Sequence, residues 1–138
     1  MEIAEKNSIL KEAIAAFAWP ETIQGIARYG SGHINDTYCI VCQPREGKAI
    51  RFILQGLSLT AFPKQVELME NFIGVTTHLR KKIQEQGGDP MRETLNLIKT
   101  KDGKDYYTDS TGKIWRLMPF VEHQALLYDI STKHLLAF

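Results

Sequence analysis

The first apolar pattern of the chain has a helical period. Ile3, Leu10, Ile14 and Phe17 recur at helical steps, with alanines between them. This spacing predicts an amphipathic helix at the amino-terminal end of the sequence. Trp19-Pro20 ends the pattern, because proline lacks a backbone donor and restricts the residue before it.

A second and longer helical period covers residues 63–86. Pro63 suits a first helical turn, where its missing N–H costs nothing. Residues 80–82 are basic and suit the negative pole of the helix, and Gly87-Gly88 is a stop signal. We predict one long helix here.

Short runs of period 2 lie on both sides of the long helix and predict strands. These runs are residues 23–29, 37–42 and 49–55 before it, and 95–100, 104–108 and 113–118 after it. Asp102-Gly103 is a strong turn signal, so we expect 95–100 to pair with 104–108. Pro119 is expected to end the last strand. The pattern predicts an α+β domain with a mostly antiparallel sheet of about five strands.

Composition limits the classes of function. The 138 residues, 43% of them hydrophobic, suit one modest core. The net charge of +1, from 17 basic and 16 acidic residues, does not indicate the basic surface that binds nucleic acid. No apolar run reaches the roughly 18 residues of a membrane span, and acidic Glu2 and Glu5, without a basic and apolar series, lead us to expect no signal peptide. We therefore expect a cytoplasmic protein that binds neither nucleic acid nor membrane.

Cys39 and Cys42 form a C-x-x-C pair within a predicted strand. Zinc would need a second pair of ligands at suitable spacing, and a redox dithiol usually sits where a helix begins. Residues three apart on a strand point to opposite faces of the sheet. We predict two reduced cysteines without a shared ligand.

The segment Tyr29-Gly30-Ser31-Gly32-His33-Ile34-Asn35-Asp36-Thr37-Tyr38 links two predicted strands. Its glycines permit positive φ and close approach of a ligand, and its backbone N–H groups suit an anion such as phosphate. An ordinary hairpin turn explains the same pattern. In that case His33 is a bystander, and Asn35 and Thr37 only hold the shape of the loop.

Several motifs together carry a resemblance to a known family. These are the segment at 29–38, Phe-Ile-Leu-Gln at 52–55, Ala-Phe-Pro at 61–63, Glu-Asn at 70–71 and Met-Pro-Phe-Val-Glu at 118–122. In this order they resemble the amino-terminal lobe of the N-acetylhexosamine kinase branch of the aminoglycoside and choline kinase-like phosphotransferases. The resemblance implies a protein-kinase-like small lobe over residues 1–122, with 123–138 as linker and start of a second lobe.

The resemblance also implies ATP and Mg²⁺ as cofactors and a sugar as acceptor. It makes the turn a phosphate loop and Gln55 the counterpart of the usual strand lysine, which a helix glutamate pairs with in kinases. Glutamine carries no charge, so the usual ion pair is in doubt. Arg51 shares a face with Gln55 but lies about 13 Å away along the strand. The candidate phosphate-side residues are Ser31, Gly32, His33, Ile34, Asn35, Thr37 and Gln55, with Glu67 and Glu70 as candidate carboxylates.

The segment from Leu117 to Val121 resembles the hinge that binds adenine. Pro119 would accept through its carbonyl, Val121 would donate its N–H, and Met118 would line the rear of the pocket. The alternative is that Met118 and Phe120 are ordinary core residues.

No His-x-Asp stretch of the kind that holds the catalytic base in this family occurs in the chain. We therefore expect the chain to bind ATP but to be inactive alone, and the apolar ending at Leu135 to Phe138 leads us to expect that the natural chain continues. The alternative is a non-catalytic binding or self-associating module with the same fold. Apolar surface that a second lobe would cover predicts self-association of the isolated chain.

Overall fold

A five-stranded antiparallel sheet forms the centre of the computed structural model, which describes residues 2–30, 35–61, 63–90 and 96–120. The elements in these ranges are α1 (Glu2–Ala16), β1 (Thr22–Arg28), β2 (Asp36–Gln43), β3 (Ile50–Gly56), α2 (Gln65–Glu85), β4 (Tyr107–Thr108) and β5 (Ile114–Pro119). The strand order is β1-β2-β3-β5-β4, and every neighbouring pair is antiparallel. The predicted α+β class is confirmed. The predicted boundary at residue 122 lies outside the described ranges.

Each face of the sheet packs against one helix, because apolar residues alternate along the central strands. On one face, Ile53 of β3 packs with Met69 and Phe72 of α2. On the other face, Leu54 packs with Ala13 of α1 and with Phe17 just beyond it. We call these the α2 face and the α1 face. The predicted alternation along β3 is confirmed.

The end of α2 follows from glycine. Gly87 has a φ of +79°, a conformation that side chains with a Cβ rarely adopt. The N–H of Gly88 donates to the carbonyl of Ile83 at 2.8 Å, and that of Gly87 to the carbonyl of Gln84 at 3.1 Å. This is a Schellman motif, and the predicted stop is confirmed. Neither helix in the described ranges has the length and apolarity needed to cross a membrane.

The predicted pairing of 95–100 with 104–108 is wrong. The Asp102-Gly103 turn is present, with Gly103 at a φ of +80°. Beyond the turn itself, the described residues make one backbone bond across it, from the Thr100 N–H to the carbonyl of Lys104, besides the Lys99–Asp105 ion pair. Residues 96–99 form no strand, and Thr100 makes an isolated bridge to Phe17. The described part of this segment is held by backbone bonds to α1 and β5 instead, including Lys101 N–H to the carbonyl of Ala16 at 2.9 Å.

The two cysteines lie on opposite faces of the sheet. Cys39 packs against the core of the α2 face, whereas Cys42 is fully buried in that of the α1 face. Both are free thiols, as predicted from their spacing. Burial, with a further contribution from Glu21, raises the pKa of the Cys42 thiol, which keeps it protonated and unreactive.

Candidate functional site

The connection between β1 and β2 begins and ends with a defined backbone geometry. The N–H of Tyr29 donates to the carbonyl of Thr37 at 2.9 Å, and Gly30 has a φ of +78°. The Asn35 side-chain oxygen accepts from the N–H of Ser58 at 2.9 Å, which fastens the end of the connection to the segment after β3. The candidates Ser31, Gly32, His33 and Ile34 lie outside the described residues.

A row of polar side chains crosses the α2 face next to this connection. Thr37 of β2 lies directly opposite Gln55 of β3, and Gln55 lies opposite Arg116 of β5. The Gln55 amide nitrogen donates to the Thr37 hydroxyl oxygen at 3.3 Å. Nε and Nη2 of Arg116 donate to the Gln55 amide oxygen at 3.1 and 2.7 Å. We call these three residues the polar row.

The guanidinium fixes the orientation of the Gln55 amide. Arginine has only donors, so the atom that faces Arg116 must be the amide oxygen. The amide nitrogen of Gln55 therefore points along the row toward Thr37. Sequence reasoning identified both Thr37 and Gln55, and the structure brings them together.

Arg116 is buried, with 2% of its surface exposed. Nη1 donates to the sulfur of Met69 at 3.9 Å, and the guanidinium carbon lies 4.7 Å from the centre of the Phe72 ring. No carboxylate pairs with Arg116 among the residues that the structure describes. Burial lowers the pKa of Arg116 to about 10, so the side chain is still charged at neutral pH.

An apolar row runs beside the polar row, at a distance of two residues on each strand. Cys39, Ile53 and Met118 lie opposite one another across β2, β3 and β5. Two residues of strand separate the rows by about 7 Å. Ile53 and Met118 are buried, whereas Cys39 and Thr37 are only half-buried. Helix α2 thus covers the β3 and β5 part of both rows and leaves their β2 end more open.

Charged side chains lie at the same end of the sheet as the polar row. Asp36 forms an ion pair with Lys113, and Arg28 lies 3.4 Å from its other carboxylate oxygen. Burial raises the pKa of Asp36, but the hydrogen bonds and charges of Lys113 and Arg28 outweigh it and hold the pKa below its usual value. This cluster joins the starts of β2 and β5.

The carboxylate partners expected for Gln55 do not contact it. Glu67 and Glu70 are exposed on α2. Arg51 lies elsewhere, with its guanidinium carbon 4.1 Å from the centre of the Phe120 ring. The cation beside Gln55 is Arg116, which sequence reasoning missed, although a charged residue between Ile114 and Met118 on the inward side of a strand was the available signal.

The predicted hinge residues are divided between core and strand end. Met118 and Phe120 belong to the core of the α2 face, and the Phe120 ring lies edge-on to Tyr29 at 5.6 Å. Pro119 is half-buried and is the last residue of β5, as predicted. Val121 lies outside the described residues.

The site offers hydrogen-bond donors, a buried positive charge and apolar surface. Among the described residues, no three His, Cys, Asp or Glu side chains come together as they would to hold a metal ion. No known protein-family profile matches the chain.

Proposed function

We propose that this chain is the ATP-binding lobe of a cytoplasmic sugar kinase. In the parent reaction the γ-phosphoryl group of ATP moves to a hydroxyl of an N-acetylhexosamine or a related small acceptor. The proposal begins from the resemblance of residues 29–38 and 118–122 to the N-acetylhexosamine kinase branch.

The observation that carries the proposal is the parallel course of the two rows. An adenine ring needs apolar surface, which the half-buried β2 end of the apolar row at Cys39 would supply, and phosphate oxygens need donors. The polar row lies about 7 Å further along the strands, toward the connection that bears the glycines. A nucleotide lying across β2 and β3 would meet both rows in that order.

Phosphoryl transfer needs a carboxylate that orients the attacking hydroxyl, and ligands for Mg²⁺. In the family that the chain resembles, these groups lie in a His-x-Asp stretch and a later metal motif. All four histidines here have another residue two positions on, namely Asn35, Arg80, Ala125 and Leu136. We therefore propose that these 138 residues bind the nucleotide and that catalysis requires additional residues.

The half-buried thiol of Cys39 gives a direct test of nucleotide binding. It belongs to the apolar row, so bound adenine would cover it, whereas Cys42 is buried on the α1 face. We expect millimolar MgATP to slow maleimide labelling of Cys39 several-fold, with protection that saturates. Labelling is measured by intact mass, at each nucleotide concentration.

The Cys39→Ser variant is the matched control, because its remaining thiol is remote from the rows. Its slow residual labelling should not respond to MgATP. Equal labelling rates of the unsubstituted chain with and without MgATP, at concentrations up to about 10 mM, would count against a nucleotide site on this face, because typical KM values do not exceed about 1 mM.

A non-catalytic or self-associating module is the second candidate. Three apolar side chains of α2 favour it, because Val66, Val75 and Leu79 are 53%, 41% and 42% exposed. Contiguous exposed apolar surface is typical of contact with another molecule, and Val75 and Leu79 lie one helical turn apart on α2. Self-association of the chain stays a prediction.

A further inference from the structure

We propose that Arg116 acts through Gln55 and Thr37 as a relay of polarised hydrogen bonds that presents a donor to the nucleotide phosphates. This inference rests on the proposed function and names the cation that serves the site in the absence of a lysine on β3. Arg116 is a positioning residue, since it touches Gln55 and no open surface. The group that meets the phosphate oxygen is the Thr37 hydroxyl, assisted by the Gln55 amide.

The direction of every bond in the polar row follows from chemistry. The guanidinium can only donate, so the Gln55 oxygen accepts both of its bonds. The Gln55 nitrogen then donates to the Thr37 oxygen. The Thr37 hydroxyl hydrogen has no acceptor among the described residues, so it is available to a ligand.

Polarisation gives the relay its strength. A buried charge strengthens each bond in a chain of hydrogen bonds, because each acceptor becomes a better donor at its other end. Arg116 is buried and no carboxylate among the described residues forms an ion pair with it, so its charge is not neutralised by direct contact with an anion. The half-buried end of the row at Thr37 therefore carries positive character toward the β1–β2 connection.

The row also explains why a glutamine is suitable at position 55. A lysine there would lie against the guanidinium of Arg116, and two buried like charges repel. A glutamate would pair with Arg116 but would reverse the direction of the hydrogen bond between position 55 and Thr37. The Thr37 hydroxyl would then donate inward to the carboxylate and would present only lone pairs to a phosphate.

The substitution Gln55→Glu should change the affinity for MgATP and the stability of the chain in opposite directions. It supplies the missing counter-charge to Arg116, so we expect the melting midpoint without ligand to rise by about 3 °C or more. It removes the outward donor, so we expect the affinity for MgATP to fall by about tenfold or more. Adenosine, which has no phosphate, should bind as it does to the unsubstituted chain.

Three further variants keep the test decisive. Gln24→Glu makes the same change of charge at an exposed position of β1 and should alter neither the midpoint nor the affinity. Thr37→Val removes the terminal hydroxyl with little change of shape, and Thr37→Ser restores it. We expect Thr37→Val to weaken MgATP and spare adenosine, and Thr37→Ser to bind like the unsubstituted chain.

The outcomes distinguish this relay from the proposed function. If the unsubstituted chain binds MgATP but Gln55→Glu and Thr37→Val bind it equally well, the row is structural and the relay is wrong, while the nucleotide site stands. If the unsubstituted chain does not bind MgATP, the proposed function fails and the relay fails with it. If Gln55→Glu lowers the midpoint, Thr37→Val alone decides between these outcomes by calorimetric titration.

Discussion

At the scale of single residues, Asp109 organises the turn between β4 and β5. Its Oδ1 accepts from the N–H of Thr111 at 2.8 Å and from that of Lys113 at 3.1 Å. Its Oδ2 accepts from the indole N–H of Trp115 at 2.8 Å. The side chain is 5% exposed, so these bonds replace its contact with water. One carboxylate thus fixes both the turn and the ring that packs on the α1 face.

The pKa of Asp109 connects this turn to stability. Burial raises the pKa, but the hydrogen bonds from Thr111, Trp115 and Lys113 together outweigh it, so the net pKa is lowered. A carboxyl whose pKa is lowered by folding stabilises fully above its unfolded pKa of about 3.9. That stabilisation is lost as the pH falls through the folded value.

We expect Asp109→Asn to destabilise the chain by about 1–3 kcal/mol at pH 7, because an amide N–H then faces the indole N–H of Trp115. The difference from the unsubstituted chain should be smaller at pH 3 than at pH 7, because the stabilisation by the carboxylate is progressively lost below the unfolded pKa of about 3.9. Urea unfolding at both pH values measures it. Asp102→Asn, at an exposed turn position, is the control. A difference that stays constant with pH would contradict this account.

Single residues also mark how far the site could be predicted. Thr37 and Gln55 were predicted as site residues, because each lies in a motif that carries the family resemblance. Arg116 was not, because register decides which residues lie opposite each other across strands. Residues 55 and 116 are far apart in sequence, and only the pairing of β3 with β5 brings them together.

At the scale of elements, both helices and four of the five strands were predicted closely from periodicity. The errors lie where local signals compete. The sequence pattern predicted a strand at residues 96–99. Instead, hydrogen bonds to residues distant in sequence fix this segment, including one from the Ala18 N–H to the carbonyl of Lys99 at 3.1 Å. Tyr107–Thr108 pairs with β5 rather than with this segment, because Asp109 closes the turn between β4 and β5. Turn chemistry was visible in the sequence, but which turn joins paired strands was not.

Gly74 inside α2 and Gly87 just beyond its end yield opposite predictions for the stability of one helix. Gly87 has a φ of +79°, so Gly87→Ala should destabilise by about 1–2 kcal/mol through the cost of a left-handed backbone. Gly74 lies exposed inside the helix, and a Cβ there would meet nothing within 4 Å. Gly74→Ala should therefore stabilise by about 0.5–1 kcal/mol. Thermal unfolding by circular dichroism measures both, and two shifts of the same sign would refute the assigned end of α2.

At the scale of the whole molecule, one sheet supplies both cores. Ile53 and Leu57 belong to the core of the α2 face, and Phe52 and Leu54 to that of the α1 face. Loss of one core therefore frees the strand on which the other depends. This arrangement predicts that the described part of the chain unfolds as one cooperative unit.

The two tryptophans make that cooperativity measurable, because Trp19 and Trp115 both pack on the α1 face. Phe72 is fully buried on the opposite face, and Phe72→Leu should destabilise by about 0.5–3 kcal/mol. We expect the tryptophan fluorescence transition to shift in urea by the same amount as the far-ultraviolet circular dichroism transition. Phe17→Leu, on the α1 face itself, provides the matched comparison and should behave alike. If Phe72→Leu moved the dichroism transition and left the fluorescence transition in place, the faces would be independent, and ligand binding on the α2 face could not stabilise α1.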